Sequence, residues 1–307
     1  MTNSPPPIVI LGTGRSFTSV ISCMIGEHPN LICLPEINIF LHDTVGDTYK
    51  RFEPKRLRRR RAGLLRTLAQ FHDGKQDDEA IAAADEFVRS RLDWTGAEMA
   101  NYIQDLVAPR GIVEKSISIG HSNETLNRTR EAWPDALYLH ITRQPESIVK
   151  SMRKYFDKQF ENVSEKQGLK IAQMKARVDG GAFERNFHKK TKRLLSFMAS
   201  LPQGQAMNLH GENFLTDARL YCRQICEWAG IDSSDTAVEA MLHPENNPFA
   251  HVGPDGARGG MSPTFLRNPT YSGEPVSVKP MSVHPDMPDL AEDVRSMAQV
   301  GQRLGYH

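Results

Sequence analysis

The sequence predicts an α/β protein with a central parallel sheet and helices on both faces. Five short apolar runs have the length of buried strands, and segments of helical character separate them, which is the pattern of parallel strands joined by helical crossovers. The runs cover residues 8–11, 31–34, 111–115, 136–142 and 206–210. The length of 307 residues allows one large domain or two smaller ones.

The overall composition argues against several classes of protein. The 38 basic and 37 acidic side chains nearly cancel, so no global field attracts nucleic acid, and no apolar run reaches the ~18 residues that a membrane span needs. No basic cluster precedes the first strand, which argues against a cleaved signal peptide. The four cysteines show no metal-ligand spacing. We therefore expect a cytoplasmic protein that requires no metal and binds no nucleic acid.

The first strand, residues 8–11, leads directly into a tight loop and a helix. Gly12 and Gly14 permit a sharp turn, and apolar residues then recur at helical spacing after Ser16. A helix that starts there points unpaired backbone N–H groups and the positive end of its dipole at the loop, which together bind anions. The stretch predicts a phosphate site, although two glycines also fit any tight turn between a strand and a helix.

The loop resembles a Walker A sequence but lacks its lysine. With Gly12 as the first glycine, Phe17 stands in the place of the second, Thr18 in the place of the lysine and Ser19 in the place of the Mg²⁺-binding hydroxyl. No lysine reaches out to β- and γ-phosphates. The site is therefore suited to a single 5′-phosphate group held by N–H groups, hydroxyls and the guanidinium of Arg15.

The sequence GTGRSFTS, followed by a helix and His28-Pro29, resembles the 5′-phosphosulfate-binding loop of sulfotransferases that use 3′-phosphoadenosine 5′-phosphosulfate (PAPS). The likeness is greatest to the carbohydrate and tyrosylprotein branches, whose loops read RSGTT. Phe17 replaces that family's glycine, so its side chain must point away from the phosphate or pack over the nucleotide. The resemblance extends over nearly the full chain and implies a single domain, residues 1–307, with a P-loop nucleoside-kinase-like fold.

Glu36 follows the second strand and Pro35, near the carboxyl edge at which open α/β sheets bind ligands. The residues alone leave two interpretations, a member of the site or an acid in the first turn of a helix. In the resembled sulfotransferases a glutamate in this place is the proposed base. The resemblance implies the same role for Glu36.

Lys115 ends the third strand. The resemblance implies that its ammonium faces the transferred group, whereas the other interpretation is a surface lysine at a strand end. His121 is a second candidate base, because cytosolic sulfotransferases use a histidine that directly follows a lysine-threonine pair. Here the histidine comes six residues after Lys115, and this spacing favours Glu36.

The fourth strand runs into Arg143, Pro145 and a helix that contains Ser151. An arginine at a strand end can bind phosphate through two N–H groups, and a serine two helical turns further on can approach the same anion. The segment YLHITRQPESIVKSM resembles the 3′-phosphate-binding segment of sulfotransferases. This implies that Arg143 and Ser151 bind the phosphate that distinguishes PAPS from ATP.

Residues 41–108 are predicted to form an insertion on the acceptor side, and they contain four consecutive arginines, Arg58 to Arg61. Such a block is either a solvated, partly mobile segment or a patch that contacts an anionic acceptor or a membrane surface. The charged helical stretch 159–201 is the predicted wall of the acceptor cleft.

Residues 244–288 contain 9 of the 19 prolines and a glycine cluster. A long segment with little regular structure is usually a functional lid or disordered, and the aromatic residues retained here favour an ordered lid. Arg258 and Arg267 are candidate lid cations.

These features predict a PAPS-dependent sulfotransferase that transfers a sulfuryl group to the hydroxyl of a glycan, lipid or small molecule. The alternatives are a small-molecule kinase, which the missing lysine disfavours, and a non-catalytic nucleotide-binding protein, which Phe17 favours. The predicted catalytic residues are Glu36, Lys115 and Arg15. The predicted PAPS-binding residues are Gly12, Gly14, Arg15, Ser16, Phe17, Thr18, Ser19, Arg143, Ser151 and Arg258.

Overall fold

All five predicted strands form, and they lie parallel in one sheet with the order β2-β3-β1-β4-β5. A computed structural model describes residues 4–55, 57–161, 182–278 and 301–306. The strands are β1 (Ile8–Gly12), β2 (Leu31–Cys33), β3 (Gly111–Glu114), β4 (Leu137–Thr142) and β5 (Ala206–His210). Each boundary lies within one residue of the apolar run that predicts it.

Helices flank this sheet, and those that follow β1 and β4 were predicted from the sequence. In chain order they are α1 (Thr18–Gly26), α2 (Val45–Arg51), α3 (Ala62–Asp73), α4 (Asp78–Arg89), α5 (Gly96–Val107), α6 (Asn123–Ala132), α7 (Pro145–Glu161), α8 (Ala182–Ala199), α9 (Gly211–Thr216), α10 (Ala218–Ala229), α11 (Asp235–Met241) and α12 (Pro263–Arg267). Short 3₁₀ turns cover Arg58–Arg61, Ile117–His121, Pro244–Asn246 and Asp255–Ala257. The α/β fold class predicted from the sequence is thus confirmed.

Strand β1 lies at the centre of the sheet, where the chain reverses its direction of travel. From β1 the chain crosses to the edge strand β2, and it then moves the other way through β3, β4 and β5. Because parallel crossovers are right-handed, the reversal places α1 on one face, against β2 and β3, and α8 on the other, against β1 and β4. Open α/β sheets bind ligands beyond the strand ends at such a reversal.

The insertion that carries the arginine run packs against the rest of the fold through α3, whereas Arg58, Arg59 and Arg60 are exposed, as the solvated interpretation of the run expects. Leu64, Leu65 and Leu68 of α3 belong to the main core, at the helical spacing that follows the charged residues. Arg61 is also buried, and its guanidinium lies 4.2 Å from the centroid of the Tyr49 ring while it donates to the Tyr49 carbonyl oxygen at 2.6 Å. The neighbouring charged residues therefore gave no indication in the sequence that one face of α3 is buried.

The proline-rich segment is described from residue 244 to residue 278, whereas residues 279–288 of the predicted lid lie outside the described residues, as do residues 162–181 of the predicted acceptor wall. Phe249, Met261 and Phe265 bury their side chains in the main core. The segment is therefore joined to the domain by apolar packing, although the regular structure between residues 244 and 278 is limited to short turns and α12.

Arg66 of α3 fastens this segment to the insertion. Its side chain is fully buried and donates to Gln76 Oε1 at 2.7 Å, to the Gly259 carbonyl oxygen at 2.7 Å and to the Phe249 carbonyl oxygen at 3.2 Å. Burial lowers the pKa of Arg66 to about 10, so the group remains charged at neutral pH. A buried cation that is satisfied largely by backbone carbonyls fixes the position of both peptide segments.

We expect Arg66→Met to destabilise the protein by about 2–4 kcal/mol, because it leaves buried acceptors without a donor. The loss should be local as well as global, with faster hydrogen exchange of the amides between Phe249 and Gly259. Arg51→Met, which changes an exposed arginine of α2, is the matched control. Equal unfolding free energies for the two variants would contradict the role of Arg66.

Candidate active site

The loop that follows β1 obtains its shape from side-chain-bearing residues as well as from glycine. A Cβ on Gly12 would lie 2.9 Å from the Ile141 carbonyl oxygen, so the close approach of β1 and β4 requires glycine there. The left-handed backbone conformations fall on Arg15, with φ 71°, and Phe17, with φ 62°. Helix α1 consequently begins at Thr18, two residues later than the start predicted near Ser16.

Phe17 occupies the position at which the resembled loops have glycine, and its positive φ explains why glycine is favoured there. Its aromatic ring packs beneath Arg143, whose guanidinium carbon lies 4.3 Å from the ring centroid. A Cβ on Gly211 would lie 2.8 Å from this ring. The loop thus keeps a glycine-like backbone and uses the added side chain as a platform for Arg143.

Arg15 connects the loop to two other parts of the chain. Its Nε donates to Ser151 Oγ of α7 at 3.0 Å, and its terminal nitrogens donate to Ser262 Oγ at 3.3 Å and Thr264 Oγ1 at 3.2 Å. The Ser262 backbone N–H also donates to Ser19 Oγ at 3.1 Å. The proline-rich segment therefore lies directly against the phosphate loop.

Arg143 follows β4 and points toward the same loop. Its Nη1 donates to the Arg15 carbonyl oxygen at 2.8 Å, whereas its buried Nε has no hydrogen-bond partner among the described residues. Desolvation lowers the pKa of Arg143 from its usual value, with Glu212 opposing the shift. A buried donor without an acceptor is costly, so this guanidinium is suited to an anionic ligand.

Glu36 and Lys115 form an ion pair, with 3.3 Å between Oε1 and Nζ. The Lys115 side chain is 0% exposed and the Glu36 side chain 28% exposed. The Glu36 backbone N–H donates to the Gly260 carbonyl oxygen at 2.7 Å, which joins this residue to the proline-rich segment. In this structure the carboxylate faces the cleft and the ammonium lies behind it.

Glu114, the last residue of β3, is a second carboxyl group near this pair. Its Oε1 accepts a hydrogen bond from the Ser116 backbone N–H at 2.8 Å, and its Oε2 has no partner among the described residues. Burial raises the pKa of Glu114 to about 7, although its hydrogen bonds with Ser116 and the charge of Lys115 oppose the shift. The group is therefore protonated in the folded protein at mildly acidic pH.

One cleft of about 1140 Å³ collects most of the predicted site residues. Nine predicted residues line it, namely Gly14, Arg15, Phe17, Thr18, Ser19, Glu36, Arg143, Ser151 and Arg258. Gly12, Ser16 and Lys115 lie behind this lining. Arg258 pairs with Asp255, with 2.7 Å between Nε and Oδ1, and Arg267 is not part of the wall. The volume exceeds the roughly 300–1,000 Å³ of a typical ligand pocket.

The cleft wall also contains residues that the sequence did not single out. They include Asn38, Lys189, Lys190 and Arg193. The wall also includes Arg59 and Arg60 of the arginine run, for which an anionic acceptor was one predicted partner. Eight lysine and arginine residues but only two glutamates line the cleft among the described residues, in contrast to the nearly neutral chain. The sequence signal for α8 was its charged helical stretch, which does not reveal which lysines face inward.

His121, the other candidate base, lies at the cleft beside these cations. Desolvation and the charges of Lys190, Arg60 and Arg193 lower the pKa of His121 to about 4. Burial likewise lowers the pKa of Lys190 to about 7. At neutral pH the imidazole is therefore uncharged, and Lys190 is close to its titration midpoint.

We expect Glu114→Gln to change the pH dependence of stability. Between pH 4.5 and about 7 the folded protein keeps a proton on Glu114 that the unfolded chain has lost. The free energy of unfolding of the wild-type protein therefore falls as the pH rises through this range. The difference in unfolding free energy between the variant and the wild-type protein should therefore shift by about 2–3 kcal/mol in favour of the variant between pH 5 and pH 8. Glu131→Gln, at an exposed position, is the control. A difference that does not vary with pH would contradict the burial of an ionisable Glu114.

Two further observations concern membranes and metals. Within the described ranges, no helix combines the length and the apolar character needed to cross a bilayer. The same residues contain no group of three or more His, Cys, Asp or Glu side chains arranged to hold a metal ion.

The comparisons with known proteins agree with this architecture. Residues 6–235 match the family model described as the sulfotransferase family. The sulfotransferase domain of the Synechococcus PCC 7002 olefin synthase shares 19% identity and a TM-score of 0.72, with 99% of this chain and 96% of that chain covered. The sulfotransferase domain of the curacin biosynthetic pathway shares 16% identity and a TM-score of 0.71, with 99% of this chain and 98% of that chain covered.

A sulfotransferase from Alicyclobacillus acidocaldarius shares 16% identity with a TM-score of 0.52, and the alignment covers 99% of this chain and 97% of that chain. At these identities the structural likeness shows the fold alone. A comparison with curated protein sequences gives no match. The family model covers well over half of the chain, and the chain therefore belongs to the sulfotransferase family.

Proposed function

We propose that this protein transfers a sulfuryl group from PAPS to the hydroxyl group of an acceptor. The observation that carries the proposal is the convergence of Arg15, Arg143 and Ser151 on the phosphate loop, in the same cleft as the carboxylate of Glu36. Membership of the sulfotransferase family supports the reaction class. We propose PAPS as the donor because two groups of hydrogen-bond donors in this cleft could each bind one of its anionic groups.

The first anion site is the loop itself. The backbone N–H groups at the start of α1 and the hydroxyls of Thr18 and Ser19 would bind the 5′-phosphosulfate, since a helix N-terminus attracts anions. Thr18 stands where a kinase loop has lysine, which disfavours the kinase alternative. We therefore propose that donor binding requires no Mg²⁺.

The second proposed anion site consists of Arg143 and Ser151, which both contact Arg15 in this structure. The buried Nε of Arg143 lacks an acceptor among the described residues, and a 3′-phosphate oxygen would satisfy it or a neighbouring N–H group of the same fork. Phe17 holds the guanidinium from below. This use of Phe17 fits a functional nucleotide site better than the alternative of a non-catalytic relative.

Glu36 is the proposed base. Its carboxylate is partly exposed to the cleft and would accept the proton of the acceptor hydroxyl, while PAPS supplies the electrophilic sulfuryl group. Lys115 contacts Glu36 and is shielded from the cleft, so we assign it a positioning role toward this carboxylate. Arg15 would stabilise charge that develops on the leaving phosphate.

His121 is the second candidate base. It is uncharged at neutral pH because desolvation and three nearby cations oppose protonation, and these same cations make it a weak proton acceptor. The Glu36 carboxylate lines the cleft and is oriented by its contact with Lys115 Nζ at 3.3 Å. We therefore favour Glu36.

The described part of the proline-rich segment is proposed to cover the donor. Ser262 and Thr264 contact Arg15, and Gly260 contacts Glu36. The segment thus touches both the donor site and the proposed base. Arg258 lies in the cleft wall and would add positive charge to this cover.

Adenosine 3′,5′-bisphosphate should bind without Mg²⁺ and much more tightly than AMP or ATP. Arg143→Ala should weaken the bisphosphate by about 10- to 100-fold, the value of a lost charged hydrogen bond, and should change AMP affinity far less. Titration calorimetry measures both ligands, and Arg267→Ala is the control outside the cleft wall. Equal affinities of wild-type protein for the bisphosphate and AMP would refute the 3′-phosphate site.

Glu36→Gln should lower turnover by about 10²–10⁴-fold, because the amide keeps the shape of the side chain but cannot take a proton. The acceptor for this assay comes from a screen in which sulfated products are detected by mass. Affinity for adenosine 3′,5′-bisphosphate should remain nearly unchanged. If Glu36→Gln keeps its turnover and His121→Ala loses it, the histidine is the base.

A further inference from the structure

Beyond the two proposed anion sites, the cleft carries a second group of cations. It consists of Arg59, Arg60, Lys189, Lys190 and Arg193, which we call the acceptor-side cations. Arg60, Lys190 and Arg193 act on His121, and Glu36 acts on Lys190, whereas Arg143 interacts with Glu212, Arg15 and Tyr306. The cleft therefore has two distinct basic regions, and Glu36 belongs with the second.

The acceptor-side cations are held in place by neutral groups. Lys190 Nζ donates to the Ile117 carbonyl oxygen at 2.8 Å, and Arg193 Nη1 donates to the carbonyl oxygens of Gly120 at 3.1 Å and His121 at 2.7 Å. Asn38 Nδ2 donates to the Arg60 carbonyl oxygen at 3.2 Å, which fixes the backbone of the arginine turn. The region is thus built from two separate elements, α8 and the turn at Arg58–Arg61, that meet around His121.

Close ion pairs do not neutralise this region, although the charge of Glu36 acts on Lys190 and that of Arg193 on Glu124. In the part of the chain that the structure describes, none of the five side chains forms an ion pair with an aspartate or glutamate. Desolvation lowers the pKa of both Lys190 and His121, and neighbouring cations lower both further, whereas Glu36 opposes the shift of Lys190. Like charges gathered in a partly desolvated cleft attract an anion of matching shape.

We propose that the acceptor is a small molecule that carries an oxyanion, a carboxylate or a phosphate, beside the hydroxyl to be sulfated, and that the acceptor-side cations bind this oxyanion. The proposal rests on the proposed sulfotransferase function and adds the chemical class of its acceptor. It also accounts for the arginine run, since Arg59 and Arg60 face the cleft, Arg61 is buried and Arg58 donates to the Glu53 carbonyl oxygen at the surface.

The test uses matched pairs of hydroxyl compounds that differ in charge. The pairs are 4-hydroxybenzoate with 4-hydroxybenzamide, and glucose 6-phosphate with glucose. Calorimetric titrations are run on protein saturated with adenosine 3′,5′-bisphosphate, so that the donor's anion sites are occupied. The anionic member of at least one pair should bind about tenfold or more tightly than its neutral partner, and added salt should reduce the difference.

Variants locate the bound anion. The double variant Arg59→Gln/Arg60→Gln should reduce the preference for the anionic probe by about tenfold, the lower end of what one charged hydrogen bond contributes. Arg58→Gln, in the same run but outside the cleft wall, should leave this preference unchanged. On α8, Lys189→Gln should reduce the preference, and Lys192→Gln, which also lies outside the wall, is its control. Equal binding of both members of each pair, including no binding of either, overturns the inference, as does a preference that survives in the double variant.

The same titrations separate this inference from the proposed function. If wild-type protein fails to bind adenosine 3′,5′-bisphosphate, the proposed donor is wrong and the inference falls with it. If the bisphosphate binds but charge on the probe makes no difference, only the inference is wrong. Loss of binding to phosphatidylserine vesicles in the double variant, with probe binding unchanged, would assign the arginines to a lipid surface and overturn the inference.

Discussion

The position of β1 between β3 and β4 is the constraint on which the candidate site depends. All three strands are parallel, so their carboxyl ends meet at one edge, with Val9 opposite Glu114 and Gly12 opposite Ile141. The residues that follow these strands are therefore neighbours although more than 100 positions separate the loop from Arg143. The close approach of β1 to β4 leaves no space for a side chain at Gly12, and the same contact brings the arginine to the phosphate loop.

The sequence was sufficient to predict the sheet, because β1, β2, β3 and β4 are buried along their whole length and appear as largely apolar runs, and the more exposed edge strand β5 still has the length of a strand. It was insufficient for the insertion. In α3 the apolar residues Leu64, Leu65 and Leu68 directly follow a charge run and share their buried face with Arg66. A buried arginine that satisfies the carbonyl groups of Gly259 and Phe249 depends on contacts almost 200 residues away, and no local pattern records such contacts.

The lysines of the site illustrate the same limit. Lys115 was expected to face the transferred group, but its ammonium lies behind Glu36 and is shielded from the cleft. Lys190 reaches the cleft wall because α8 crosses the turn Ile117–His121, where the Ile117 carbonyl oxygen accepts its hydrogen bond. The sequence identifies Lys115 and Lys190 only as charged residues at or in a predicted strand or helix. The direction of each side chain is decided by packing between elements.

The three hydroxyl partners of Arg15 have a consequence for the energetics of ligand entry. Ser151, Ser262 and Thr264 accept hydrogen bonds from the guanidinium now, and a hydroxyl can rotate to become a donor when an anion arrives. Neutral oxygens of the protein therefore stabilise the cation before an anion binds, and the anion replaces them afterwards. The dipole reorganisation that accompanies this exchange is confined to the rotation of hydroxyl groups, so the ligand-free state keeps a satisfied arginine that is already placed for an anion.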